Sequence, residues 1–221
     1  MKGLFITGTD TGIGKTFFTL AAIHALQQKG IRTTAMKPVA SGAELIEGQL
    51  RNEDALAIQQ AIDHSVPYER INPYCFAPPV SPHLAAAQAH ARIDLEVIKM
   101  NYHKLIENEQ FVLVEGVGGW LAPLSETSTV ADLAKVFALP VVLVVGMRLG
   151  CLNHALLTAQ AIKRSGLQLA GWVANNIDPD CAFIQEQIDY LALHLDSSPI
   201  IKIPYRSQVN AFGERLLALS A

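Results

Sequence analysis

Gly8-Thr9-Asp10-Thr11-Gly12-Ile13-Gly14-Lys15-Thr16 follows directly on the short apolar run Gly3-Leu4-Phe5-Ile6-Thr7. The run reads as a buried strand, and helical spacing of apolar residues begins at Lys15. A strand, a glycine-rich turn and a helix, in that order, are the context a phosphate-binding loop needs. Glycines let successive backbone N–H groups turn inward around an anion. The helix start adds its dipole, Lys15 a mobile cation, and Thr16 a hydroxyl for a magnesium ion. Five residues separate Gly8 from Gly14, one more than in the usual loop. A plain glycine turn with an exposed lysine is the competing account, and the flanking strand and helix speak against it.

Outward from the loop, apolar spacing predicts a helix over 17–28, stopped at Lys29-Gly30, and a strand over 31–36 ending at Lys37-Pro38. Residues 39–52 are small, polar and glycine-containing. A helix over 53–62 carries Asp54 in its first turn. Residues 66–82 hold five prolines and read as an ordered, irregular crossing. Ser81-Pro82 opens a helix through 84–91 and Asp94 caps another to about 109. Strands follow at 111–115, 140–146, 169–174 and 200–203. Helices are expected at 130–137, from Gly150 through 164, at 181–193, and from about 209. Apolar strands alternating with helices predict an α/β fold: a mostly parallel sheet with helices on both faces, in one domain over 1–221.

Half of the residues are apolar and only 17% are charged, which points to a compact globular chain. A net charge of −3 gives no basic footprint for nucleic acid. The three cysteines are odd in number and widely spaced, so free thiols in a reducing compartment are expected. The chain enters a strand at once, and no apolar run approaches ~18 residues. Those features predict a cytoplasmic protein without membrane contact. The seven histidines show no paired metal-ligand spacing.

In an open parallel sheet, ligands sit beyond the carboxyl ends of the strands. Five polar signatures fall there: the Gly8–Thr16 loop, Lys37, Glu115-Gly116-Val117-Gly118-Gly119, Asn175-Asn176 and Pro204-Tyr205. Glu115, after four apolar residues, stands where a second magnesium carboxylate belongs, or is a polar strand end. Gly116, Gly118 and Gly119 let backbone approach a ligand. Asp54 is a magnesium ligand or simply an acid favoured by a helix N-terminus. Lys37 is a second cation facing Lys15 across the loop, or a solvated lysine. Gly150-Cys151-Leu152-Asn153 begins a helix and is an anion site or a plain cap. Asn175 could bond an adenine edge or close a strand-end turn.

The loop resembles the long-form phosphate loop of the dethiobiotin synthetases. Lys37-Pro38-Val39-Ala40-Ser41-Gly42, Arg51-Asn52 with Asp54-Ala55-Leu56, Asn72-Pro73-Tyr74 and Ser81-Pro82-His83 are similar to that family's next blocks. Val114 to Trp120, Val145 to Ala155, and Gly171 to Asn175 continue the likeness in order. The resemblance runs from residue 4 to about 206 and leaves Asn210 without a role. It implies ATP- and magnesium-dependent closure of a ureido ring on 7,8-diaminononanoate, with carbon dioxide or bicarbonate as the carbon source. Thr16, Asp54 and Glu115 would hold the metal, and Lys15 and Lys37 would serve catalysis. Gly12, Ile13, Gly14, Phe17, Gly116, Val117, Gly118, Asn175, Asn176, Pro204, Tyr205 and Arg206 would complete the nucleotide site. Thr11 and Ser41 would orient the carbamate and diamine. The family's homodimer would bring Gly150, Cys151 and Asn153 of one subunit to the other's substrate carboxylate.

Two other readings compete. A cobyrinate-type amidase would need a glutaminase domain, and the Lys37–Ser41 block does not fit it. An ATPase switch that recruits a protein partner, like the septum-site ATPases, would carry a lysine early in the loop. This chain has Thr9-Asp10 there. The stretch 212–221 also lacks the basic face of a membrane-binding tail.

Overall fold

The computed structural model describes residues 2–209. Ten strands lie in it: β1 (Lys2–Gly8), β2 (Thr33–Met36), β3 (Val39–Ser41), β4 (Glu44–Ile46), β5 (Gln49–Arg51), β6 (Tyr74–Phe76), β7 (Phe111–Glu115), β8 (Val141–Met147), β9 (Leu169–Asn176) and β10 (Ile201–Ile203). Eight helices accompany them: α1 (Lys15–Gln28), α2 (Glu53–Ala61), α3 (Tyr68–Ile71), α4 (Pro82–Gln88), α5 (Leu95–Leu105), α6 (Val130–Phe137), α7 (Cys151–Arg164) and α8 (Ile184–His194). The terminal helix expected from about residue 209, Asn210 and the stretch 212–221 lie outside the described residues.

Six strands form one sheet in the order β10-β9-β8-β1-β7-β2, with every pairing parallel. All seven residues of β8 and all five of β7 are buried. Successive side chains point to opposite faces of a strand, so both faces of the sheet are covered. This is the parallel, doubly covered sheet expected from the uniformly apolar runs. Phe5 anchors one part of the core, with Trp120 edge-on at 6.3 Å and Phe137 stacked at 6.2 Å. Trp172 is fully buried and donates its indole N–H to the Ser197 carbonyl at 2.9 Å. No helix among the described residues is long and apolar enough to cross a membrane.

β1 lies between β7 and β8, and the strand ends line up around it. Ile6 is level with Glu115, Gly8 with Val144, Met36 with Val114, and Asn175 with both Gly146 and Ile203. The chain leaves β1 toward one side of the sheet and returns to build the other side from β8 onward. That reversal opens a crevice at the carboxyl end of β1, where α/β sheets bind ligands.

Two segments are more regular than their composition suggests. Within 39–52, β4 and β5 form an antiparallel hairpin whose two turn residues, Glu47 and Gly48, both have positive φ. Within the proline-rich crossing, α3 forms, and β6 pairs in parallel with β3. The remaining elements lie within a few residues of their expected bounds, the ordinary uncertainty of helix and strand ends.

Candidate active site

The phosphate loop connects the last residue of β1 to the first of α1. Gly14 caps α1 with a φ of 88°, in the left-handed region that favours glycine. A Cβ there would lie 2.2 Å from Asn175 Nδ2, which donates to the Ile13 carbonyl at 2.8 Å. Strand β9 thus pins the loop through one side chain. No side chain caps α1 and no acid stands in its first turn, which leaves the helix dipole facing the cleft.

Buried charge gathers beneath that helix start. Glu115 is fully buried, and its Oε1 accepts from Thr16 Oγ1 at 2.7 Å and from Lys37 Nζ at 2.8 Å. Its Oε2 accepts from Thr19 Oγ1 at 2.6 Å. Lys37, 5% exposed, also donates to Asp54 Oδ2. Burial alone would lower the Lys37 pKa, but Glu115 and Asp54 outweigh it and hold the ammonium above its ordinary value. Burial likewise pushes the Asp54 carboxyl up, yet Lys37, Thr16 and Lys15 bring it below the usual carboxylate range. Lys15 donates to the Asp10 carbonyl at 2.7 Å. Burial, reinforced by the nearby Lys37 ammonium, lowers its pKa to about 8 despite Glu115, Asp54 and Asp10.

These groups face a cleft of about 340 Å³ lined by Thr11, Gly12, Gly14, Lys15, Thr16, Lys37, Ser41, Asn52, Asp54, Val117 and Gly118. Sequence-derived candidates from four separate stretches therefore meet in one space. Glu115 lies buried behind Thr16 and Lys37, and the Gly116 N–H donates to the Ile6 carbonyl at 2.9 Å. Ile13 is buried, and Phe17 packs partly against the core. Asn176 Oδ1 accepts from the Asp178 N–H at 3.2 Å. Pro204, Tyr205 and Arg206 follow β10, one strand beyond Asn175, with the Arg206 guanidinium 5.2 Å from the Tyr205 ring centroid. Gly150, Cys151 and Asn153 start α7 and do not line the cleft of their own chain. Cys151 is buried, with its Sγ 3.1 Å from Gln187 Oε1, while Asn153 is exposed.

Thr16, Asp54 and Glu115 offer one hydroxyl and two carboxylates converging on one corner. Hard oxygen donors of this kind suit magnesium, so the residues fit the metal. Three neighbours received no role from the sequence. Thr19 lies one turn beyond Lys15, and that i, i+4 spacing in an otherwise apolar helix was its available signal. Asn52 immediately precedes the acidic start of α2 and accepts from the Ala55 N–H at 3.3 Å. Arg148 pairs with Asp10 across the crevice, a contact spanning 138 positions that no local pattern announces.

The AAA domain family matches residues 2–212. The ATP-dependent dethiobiotin synthetase BioD of Xanthomonas euvesicatoria pv. vesicatoria (strain 85-10) is 50% identical, over 95% of this chain and 94% of the relative. That of Vibrio vulnificus (strain YJ016) is 48% identical, over 93% and 90%. The chain belongs to the dethiobiotin synthetase family. Dethiobiotin synthetases therefore match it across the loop, the cleft and the sheet rather than at the motif alone. Among solved structures, the MinC:MinD complex of Aquifex aeolicus aligns with a TM-score of 0.59 at 13% identity, covering 100% of this chain and 94% of that one. A ParA family ATPase from Chlorobium tepidum TLS gives 0.56 at 14% identity, covering 99% and 90%. At such identity these likenesses show the fold alone. This chain thus shares one architecture with those proteins.

Proposed function

We propose that this protein is an ATP-dependent dethiobiotin synthetase, a single-domain ligase that closes the ureido ring of dethiobiotin from 7,8-diaminononanoate and carbon dioxide for biotin synthesis. The observation that carries the reading is the cleft in which Lys15, Lys37, Thr16, Asp54 and Glu115 meet, in a chain 50% identical to a synthetase of that name.

One amine of the diamine adds to carbon dioxide and loses a proton, giving a carbamate. A carbamate oxygen then bonds to the γ-phosphorus of ATP, whose bond to the bridging oxygen breaks to release ADP. The second amine attacks the carbamate carbon of this mixed anhydride and loses a proton, and phosphate departs as the ring closes. Such a sequence needs positioning and charge neutralisation more than a protein nucleophile. Lys15 holds the phosphates, and Lys37, kept protonated by two carboxylates, faces the charge that develops in transfer. Thr16, Asp54 and Glu115 would hold magnesium, which would supply charge neutralisation at the phosphate oxygens. Thr11 and Ser41 orient the carbamate and diamine. Asn175, Asn176 and residues 204–206 frame the base.

The anion site at Gly150, Cys151 and Asn153 serves the other subunit of a homodimer. Leu149, just before that helix, is 95% exposed and Leu157, farther along it, 58% exposed, apolar side chains that a partner copy would cover. Incubation with ATP, magnesium, diamine and ¹³C-bicarbonate should give dethiobiotin carrying one ¹³C in its ureido carbon by mass spectrometry. Unlabelled product, or none, would reject the carbon source or the ring closure.

A further inference from the structure

Lys37 and Asp54 reach the cleft from different connections, yet their side chains pair there. Lys37 follows β2, and Asp54 is the second residue of α2. A buried polar strap joins the two backbones. Asn72, 3% exposed, donates from Nδ2 to the Lys37 carbonyl at 2.7 Å and to the Tyr74 carbonyl at 3.2 Å. The Lys37 N–H donates to the Ile71 carbonyl at 2.9 Å. Asn72 Oδ1 accepts from the Tyr68 hydroxyl at 3.0 Å, and that hydroxyl accepts from the Asn52 N–H at 2.8 Å. Asn52 caps α2 and also donates from Nδ2 to the Ser41 carbonyl at 3.3 Å. The path runs from Lys37 through Asn72, Tyr68 and Asn52 to the helix turn that carries Asp54.

We propose that Tyr68 and Asn72 are positioning residues of the phosphoryl-transfer site, setting the spacing between the Lys37 ammonium and the Asp54 carboxylate. The proposal rests on the roles given above to those two groups. The residue types suit the task. A carboxamide can accept from a hydroxyl and donate to a carbonyl at once, and a phenol can accept an N–H while donating onward. Buried networks whose members are all satisfied hold one geometry. The Arg51 guanidinium lies over the Tyr68 ring, 4.1 Å from its centroid, and holds the phenol from that face. Neither Tyr68 nor Asn72 lines the cleft, so their effect must pass through the groups they hold.

Misplacing a reacting group by about 1 Å can cost on the order of 10²-fold in rate. Tyr68→Phe removes one oxygen and keeps the ring. It should lower kcat by roughly tenfold or more and raise the half-saturating magnesium concentration several-fold, with the KM for ATP unchanged. Ile58→Val, a buried apolar substitution on α2, the helix that carries Asp54, should lower Tm without moving either value. Asn72→Ser replaces the carboxamide with a single shorter hydroxyl and should fall between wild type and Asn72→Ala in its magnesium requirement. If folded Tyr68→Phe and Asn72→Ala keep the wild-type kcat per folded molecule and magnesium requirement, the strap is only structural and the proposal fails. Full turnover in Lys37→Ala would instead overturn the underlying assignment of Lys37, a result that can be told apart from failure of the strap.

Discussion

Lys15 and Lys37 lie in the same cleft, and their protons answer to different surroundings. Lys37 has two carboxylate partners and stays charged, whereas Lys15, with burial and Lys37 against it, titrates near 8 in the free protein. In the role proposed for Lys15, ATP binding favours its charged form, so above pH 8 binding must take up a proton. ATP affinity should therefore fall as pH rises from 7 to 10, with an inflection near 8, in calorimetric titrations of the wild type. The same titrations on Lys15→Arg, whose guanidinium stays charged, should lose that inflection. The linked effect on folding has the opposite sense: between about 8 and 10.5 the unfolded chain binds the extra proton, so this group adds stability as pH rises. Lys37→Ala should lose turnover by on the order of 10²–10³-fold, the usual effect of one transition-state donor, while ATP still binds. Binding of ATP lost along with turnover would place Lys37 in ground-state nucleotide binding instead.

Between elements, the loop is held by what flanks it. Gly14 has both a left-handed φ and the Asn175 amide against its hydrogen. Gly14→Ala should cost about 2 kcal/mol in strain, or roughly 4–8 °C in Tm for a domain of this size, and abolish the rise in Tm that ATP gives. Retention of that rise would show that the loop adapts. The Gly8–Thr16 loop, Glu115 and Lys37 were legible in sequence because each stands at the carboxyl end of a strand that the sequence predicts. The β4–β5 hairpin was not. Its turn is Glu47-Gly48 rather than Asn-Gly or Asp-Gly, and three-residue strands that expose Leu45 and Ile46 carry no period. The Tyr68–Asn72 strap was hidden for another reason. Hydrogen bonds between segments 16 to 35 positions apart leave no mark on local spacing.

The whole molecule sets all of these groups at one edge of a parallel sheet, and one part of the proposed site lies off it. Gly150, Cys151 and Asn153 start α7 away from the cleft of their own chain, so their proposed role needs a second copy. Leu157→Asp, on the exposed face of that helix, should shift the protein to monomer in analytical ultracentrifugation and raise the KM for the diamine while leaving ATP affinity intact. Asn153→Ala should raise the same KM without changing the oligomeric state. A monomeric wild type with full activity would remove the cross-subunit site. The architecture shared with MinD and a ParA family ATPase means that fold alone does not decide what phosphoryl transfer is used for. What triggers the transfer decides it. Phosphate release from ATP, with magnesium and bicarbonate present, is therefore the decisive measurement, made with and without 7,8-diaminononanoate. The account predicts release that depends on the diamine and matches dethiobiotin formed mole for mole; release at the same rate without the diamine would contradict it.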